Sequence, residues 1–397
     1  MTVLYLTENI DQSFVCDDIC LLAADNNRVV VMVQEPVQKA FNWPQNVEIH
    51  EIQLGAFKWG LQSILWLFNC LFKELVFTKW ITHLKQAIGI LKYNQIKANA
   101  IIKFCKNQSI APDLVYAFWF YDLSYFSILK SQFKGSQFIA RAHGGDLYEY
   151  RSSINNRPLF RKTQLNALDA LYTVSQNGSQ YLKQLYPQYA HKIKCQYIGS
   201  QMHDYIPQLP QSVVLVSCSN IRDVKRVYLI AEALQHIHIP VTWYHIGDQN
   251  LAAKNDPTIE QYQIAIEALK QKANIQFKAM GQYSHQQVFD FYQSQAVSIF
   301  ISTSSAEGLP ISIMEAMSFG LPILATDVGA CNELVNSATG LLMPADVKPN
   351  QIADCIMALL PKSQSADFRQ GVRRYWEQHF NLQTNHLQFI QSINELN

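Results

Sequence analysis

The chain is poor in the features that mark metal proteins, secreted proteins and nucleic-acid binders. Its eight cysteines, Cys16, Cys20, Cys70, Cys105, Cys195, Cys218, Cys331 and Cys355, include no Cys-x-x-Cys pair, and no histidine is placed to complete a zinc site. They read as reduced, mostly buried thiols of a cytosolic protein, with Cys16 and Cys20 packing one helix face. Charged residues make up only 16% of the chain against 49% hydrophobic, and the formal net charge is +1. A nucleic-acid binder needs a basic surplus, so no nucleic-acid partner is expected. The opening Met1-Thr2-Val3-Leu4-Tyr5-Leu6 lacks the basic start of a signal peptide and runs at once into Glu8 and Asp11, so it reads as a strand. The loop after it lacks the glycines of a dinucleotide fingerprint, which argues against an NAD site.

What is present is a regular alternation of short apolar runs and helical spacing. At 397 residues the chain suits two domains better than one core. Residues 3–6, 29–33, 114–117, 138–142 and 170–175 read as strands of the first half, with a helix over 16–25. Residues 213–219, 241–248 with a glycine turn, 275–282, 296–301 and 322–326 read as strands of the second, and 368–393 as a helical tail anchored by Trp376 and Phe380. Such alternation predicts an α/β fold of doubly wound parallel sheets.

The most informative stretch runs from Ser302 to Pro322. A buried strand precedes it, another follows, and Ile311 to Phe319 has helical spacing, which makes a βαβ unit. The turn Gly308-Leu309-Pro310 stands just before the helix, where unpaired amides and the positive dipole end suit an anion, above all a phosphate. Glu307 lies beside that turn, and Glu315 about two helical turns further on. A phosphate would repel these carboxylates, whereas hydroxyls donate hydrogen bonds to them; a nucleotide sugar offers both phosphates and hydroxyls. Taken alone, the two glutamates read equally well as solvated helix-end acids. Elsewhere, the strand at 138–142 ends in His143-Gly144-Gly145-Asp146, which places His143 at the carboxyl end of a strand, where open α/β sheets bind ligands. Asp146 also reads as a simple cap of the next helix.

Glu307 and Glu315, with Gly-Leu-Pro after the first and Glu-Ala-Met then Gly-Leu-Pro around the second, resemble the signature of retaining glycosyltransferase family 4, of the two-domain GT-B fold. Residues 325–335 and 339–344 continue the resemblance. It implies that Glu315 holds the ribose of the nucleotide and that Glu307 lies near the donor sugar and diphosphate. It implies a cleft position near the donor sugar for His143, with Gly144 beside it. Relatives clasp the diphosphate with an Arg and, five residues later, a Lys; the Lys matches Lys225, but the Arg position reads Asn220, and Arg222 or Arg226 remains to supply the second cation. Chemistry asks for at least one cation to stabilise charge building on the leaving diphosphate, and cations at a helix start want an anion beside them. The Gly308, Leu309, Pro310, Ile311 and Ser312 segment would complete the donor site. Residues around Gly281 lie by the base in relatives, which singles out Gln282 and Tyr283. Tyr197-Ile198-Gly199-Ser200 is similar to the strand and turn before the interdomain linker, read here at 207–210.

Between 57 and 106 aromatic and aliphatic residues crowd together, among them Trp59, Trp66, Phe68, Phe77 and Trp80. Lysines, including Lys58, Lys73, Lys79, Lys85, Lys92, Lys97, Lys103 and Lys106, are threaded around them. Polar interruptions exclude a membrane span. Two readings stand: long helices packed on the first sheet with lysines on the wet side, or a peripheral contact with an anionic bilayer.

The expectation is therefore two Rossmann-like domains facing a cleft. Residues 1–206 would bind the acceptor, with a C-terminal helix at 376–397 packing back on them, and 207–375 would bind the nucleotide sugar. The activity implied is transfer of a hexosyl group, with retention, from a UDP- or GDP-sugar to a glycan or lipid-linked acceptor in cell-surface polysaccharide synthesis. No Asp-x-Asp motif lies in a suitable loop, and the resemblance implies chemistry without a metal or resident cofactor, carried by His143, Lys225 and Glu307. A cytoplasmic enzyme, peripheral on the inner membrane face, is implied. The alternative is a GT-B scaffold that binds nucleotide sugar without transferring it.

Overall fold

The computed structural model describes residues 1–10, 13–25, 27–37, 41–55, 61–75, 84–151, 160–204, 209–248 and 257–396. The expected contributions of Lys58, Trp59, Phe77, Lys79, Trp80, Pro207 and Gln208 lie outside them. The chain divides into two compact units: Met1–Val174 with Gly178–Gln196 and Gln388–Asn397, and Ser175–Asn177 with Tyr197–Leu387.

The first unit holds strands β1 (Thr2–Thr7), β2 (Arg28–Val33), β3 (Val47–Glu51), β4 (Leu114–Ala117), β5 (Gln137–Ala142), β6 (Ala170–Thr173) and β7 (Ile193–Cys195). Their order across the sheet is β3-β2-β1-β4-β5-β6-β7, and every pairing is parallel. Strands covered on both faces should be apolar throughout, and β1 is: Leu4 and Leu6 join the core on one face, Val3 and Tyr5 the core on the other. The first core takes in Ala98, Ile101 and Cys105 of helix α3 (Leu84–Asn107); the second takes in Val15, Ile19 and Leu22 of helix α1 (Ser13–Ala24).

Helix α1 begins at Ser13, so residues 13–15, expected before the helix, form its first turn. Val15 and Ile19, four apart and fully buried, pull that turn onto the sheet. Strand β3, not anticipated, is a half-exposed edge whose Val-Glu-Ile-His-Glu alternation has period two. Residues 197–200, expected as a strand, make only an isolated bridge between Ser200 and Asn381. The tail is two helices, Ala366–His379 and Leu382–Asn394, because Asn381 restarts the chain as a cap: its side-chain oxygen accepts from the Thr384 amide at 3.0 Å.

Phe389 of the last helix is fully buried against Tyr116 and Tyr172, at ring separations of 5.6 and 4.9 Å, with the Arg141 guanidinium 4.3 Å from its ring centre. Arg141 in turn lies 3.6 Å from Asp18, which accepts a hydrogen bond from Tyr5. Burial, with Asp18 close by, raises the Tyr5 phenol well above its ordinary range, so it stays a donor.

Helix α2 (Leu61–Leu75) and α3 settle part of the lysine-rich region. Leu67 and Cys70 bury against Ala87, Leu91 and Phe160, and Trp66 donates to Ser127 at 2.8 Å. Leu65 and Phe68 stay 60% and 64% exposed. Lys85, Lys103 and Lys106 are exposed, but Lys97 is not on the wet side: it is 9% exposed. The spacing Ile90, Tyr93, Asn94, Lys97 puts it on the α3 face turned toward the sheet's carboxyl edge. Among the described residues no helix is long and apolar enough to cross a membrane.

The second unit repeats the plan with β8 (Val213–Cys218), β9 (Val241–Ile246), β10 (Ile275–Gly281), β11 (Ile299–Ser302), β12 (Ile323–Thr326) and β13 (Gly340–Met343), in the order β10-β9-β8-β11-β12-β13 and again parallel. In both sheets the chain starts in the middle, builds one way, then crosses to the other side. The switch falls between β1 and β4 in the first and between β8 and β11 in the second, which is where open α/β sheets form ligand crevices.

Candidate functional site

The loops leaving β8 and β11 meet at the second switch point. They are laced together by backbone polar groups: the Ser305 amide donates to the Val224 carbonyl at 2.8 Å, and the Thr303 hydroxyl donates to the Lys225 and Arg226 carbonyls. Arg226 donates from Nε to the Thr303 carbonyl at 2.7 Å and from a terminal nitrogen to that of Ser304 at 3.0 Å. Its backbone is left-handed, φ 45°, a conformation that costs a non-glycine residue and is held here by those bonds. Arg226 therefore staples one loop to the other. Of the two arginines considered as the second cation, Arg222 is the exposed one, and Asn220 is exposed as well.

This lacing brings Lys225 and Glu307 together. Lys225 Nζ lies 2.6 Å from Glu307 Oε1, and the Ser304 hydroxyl donates to the same oxygen at 2.6 Å. Glu307 is 8% exposed; a carboxylate so buried needs such partners. Behind it, Gly329 has φ +58°, and a Cβ there would lie 2.0 Å from the Glu307 carbonyl oxygen, so only glycine lets the two segments touch.

The helix Ile311–Ser318 starts at Pro310, two residues past Gly308. Gly308 accepts from the Ala330 amide at 3.0 Å, Leu309 is buried, and Ile311 and Ser312 are half-buried at the helix start, where amides have no partner within the helix. On the same helix Glu315 is 5% exposed, and its Oε1 meets His285 Nε2 at 2.5 Å. His285 opens the helix His285–Ser294, capped by Ser284, which accepts from the Gln287 amide. Sequence reasoning passed over His285 in favour of its neighbours Gln282, exposed, and Tyr283, half-buried. The Ser-x-x-Gln box marks the helix start at the carboxyl end of β10, but nothing in the sequence ties it to a glutamate thirty residues away.

Two thiols stand near this site. Burial, with Glu315 nearby, pushes Cys218 up to about 12, and burial, with Glu307 nearby, does the same to Cys331. Neither is a nucleophile near neutrality. None of the eight cysteines forms a disulfide.

His143 belongs to the first unit, at the end of β5. It is 8% exposed, packed against Phe118 and Trp119 at 4.7 and 4.4 Å between rings; its Nδ1 lies 3.8 Å from the Asp146 carboxylate, and its buried Nε2 has no hydrogen-bond partner among the described residues. Buried polar atoms left so are uncommon and point to a ligand. Gly144 follows as the first residue of a short helix, its carbonyl accepting from Arg151 at 2.9 Å. Asp146 is a tether: its carboxylate accepts from the His143 amide and, at 2.7 Å, from the Phe120 amide.

The second-unit site thus sets one ammonium and a helix N-terminus beside two buried carboxylates. Residues 212–362 match the family described as Glycosyl transferases group 1. That span contains Lys225, Glu307 and Glu315, and leaves His143 outside. The lipopolysaccharide core biosynthesis mannosyltransferase LpsB of Rhizobium meliloti is 36% identical over 78 residues, 19% of this chain and 22% of that protein. The chain therefore spans about a fifth of that relative's length. Across the whole chain, HepE of Anabaena, solved with UDP, superposes with a TM-score of 0.71 at 16% identity, each chain covered in full. Sucrose-phosphate synthase of Thermosynechococcus elongatus gives 0.73 at 15% identity, covering 100% and 99%. At these identities the likeness is one of fold: two Rossmann-like parallel-sheet units, as in GT-B glycosyltransferases.

Proposed function

We propose that the chain is a retaining GT-B glycosyltransferase of family 4 that moves a hexosyl group from a UDP- or GDP-sugar to a hydroxyl of a glycan or lipid-linked acceptor in cell-surface polysaccharide synthesis. The observation that carries this reading is the Lys225–Glu307 pair at the second switch point, beside the start of the helix that bears Glu315. In this reading the diphosphate takes Lys225 and the helix-start amides, which stabilise the charge that develops as it leaves. Glu315 accepts from the ribose hydroxyls in place of His285, and Glu307 orients the donor sugar. His143 offers its Nε2 to the donor sugar, and no metal is called for. The acceptor binds to the first unit. The enzyme is cytoplasmic in this reading, and its contact with the inner membrane face is supported by Leu65 and Phe68, exposed and three apart on α2.

A second reading, binding without transfer, is favoured by one observation, the exposed Asn220 where relatives carry an arginine. Thermal shift against UDP, GDP, ADP and their common sugars, with Glu315→Ala beside the native chain, tests both, because a ligand that binds only the native state raises Tm. One nucleotide should raise the Tm of the native chain and not of the variant, and its sugar should be consumed on incubation with acceptor glycans. A response without consumption supports the second reading; no response to any nucleotide sinks both.

A further inference from the structure

The first unit has a cavity of about 620 Å³ at its own switch point, between the carboxyl ends of β1 and β4. Six segments far apart in sequence build it: the ends of β1 and β2, the α3 face, the loop after β4, the turn after His143 and the helix Arg161–Ala167. Its size is that of a small-molecule site.

The lining is unusual in being both aromatic and ionic. Trp119 and Tyr121 lie 5.8 Å apart with their planes tilted by 33°, forming a shelf, and Tyr121 is 44% exposed. Opposite them on α3, Lys97 donates to Gln34 at 3.1 Å and sits 4.8 Å from the Tyr125 ring centre. The carboxylates of Glu8 and Asp122 face its charge. Asn94 donates to Asp122 at 2.6 Å. The remaining cations are committed to the fold: Arg161 donates to the Phe120 and Asp146 carbonyls, and Arg151 to that of Gly144.

These groups discriminate among ligands. Glu8, Asp122 and Asp146 balance Lys97, Arg151 and Arg161 around the cavity, so an anion gains no net attraction there. An apolar guest would strip water from Lys97, Glu8 and Asp122 and offer nothing in return. A neutral polyol satisfies both kinds of group, since its hydroxyls donate to carboxylates and accept from an ammonium while its less polar face lies on the aromatic shelf. Trp119 also forms one side of the packing around His143, so a ring on the shelf lies next to that histidine.

We propose that this cavity holds the neutral hexose ring of the acceptor, stacked on Trp119 and Tyr121 and hydrogen-bonded by Glu8, Lys97 and Asp122. The proposal rests on the transferase reading and deepens it: the acceptor ends in an uncharged sugar, not in a phosphate, a carboxylate or a lipid alcohol.

The test is saturation-transfer NMR on the full chain with the methyl glycosides of glucose, galactose, mannose and N-acetylglucosamine, and with glucose 1-phosphate and galactose 1-phosphate. Asp122→Ala removes a hydrogen-bonding group. Gly89→Trp places a bulky side chain at the cavity wall, where a Cβ meets nothing within 4 Å, so the helix accepts it. At least one methyl glycoside should bind the native chain, with affinity reduced tenfold or more in both variants, while the Tm response to nucleotides is unchanged. No glycoside binding, binding undiminished in both variants, or preference for a sugar phosphate overturns the proposal. Glycoside binding of the expected kind in a chain deaf to every nucleotide supports the cavity and strikes only the transferase reading.

Discussion

The two sheets obey one topological rule and carry different chemistry at the same place. At the second switch point, the residues that matter come from two loops and one helix, and the central motif is contiguous from Ser302 to Pro322. At the first, the cavity is assembled from six segments, and no single stretch announces it. In the second unit polar groups meet as an ion pair, Lys225 with Glu307, on loops stapled by Arg226. In the first, Lys97 is buried over the Tyr125 ring with carboxylates facing it. The difference teaches that a switch point supplies a crevice, while the loops and helices around it decide whether its charged groups meet as an ion pair or are buried beside aromatic rings.

If the comparison holds, the units can be broken separately. The largest effect is expected from Lys225→Ala, which removes the cation that the proposed mechanism sets against the leaving group and leaves Glu307 buried with less compensation. Turnover of the donor sugar should fall by about 10²–10³-fold, with methyl glycoside binding to the first unit unchanged. Steady-state kinetics and NMR on one preparation check both halves; loss of glycoside binding as well would show that the units are not independent.

Next comes Phe389→Ala. It empties a fully buried ring site among Tyr116, Tyr172 and Arg141, and should cost the first unit about 3–5 kcal/mol. Calorimetry should resolve an early transition, while the later one keeps its nucleotide response. A single transition shifted as a whole would mean that the units unfold together.

The smallest effect is one of pH. Burial drives the Lys97 ammonium from its ordinary 10.5 down to about 8, against the pull of Glu8 and Asp122. Between those values the unfolded chain holds more protons at this position than the folded one, so folding gains stability as pH rises through the window. Native stability relative to Lys97→Met should therefore climb from pH 8 toward 10, by on the order of 1 kcal/mol per pH unit. Urea unfolding of both chains at pH 7.5, 8.5 and 9.5 reads the slope. A flat difference would place Lys97 in water and remove one wall of the cavity argument.

Legibility follows locality. The strands read most clearly are buried on both faces, such as Val29–Val33, where a fully apolar run leaves no ambiguity; β3, polar at every second residue on the sheet edge, did not stand out. The spacing of Glu307, the glycine turn and Glu315 could be read because strand, loop and helix follow one another within twenty residues. Ser13–Val15 and the Asn381 cap were misjudged because helix ends depend on packing and on one side-chain hydrogen bond. His285 and Lys97 were beyond local reading altogether. One acquires its meaning from a glutamate on another helix, the other from carboxylates on two distant loops.

The sequence by itself determined two α/β halves, an anion-friendly turn with two glutamates at set spacing, and a histidine at a strand end, since each is a matter of periodicity or of neighbours along the chain. Only the tertiary structure decided that Arg226 staples two loops through their backbone carbonyls, that Glu307 holds Lys225, that Glu315 faces His285, and that a lysine among many is buried beside a cavity. Those outcomes depend on which loops the sheet order brings to its switch points, and on how much water remains there once the chain has folded.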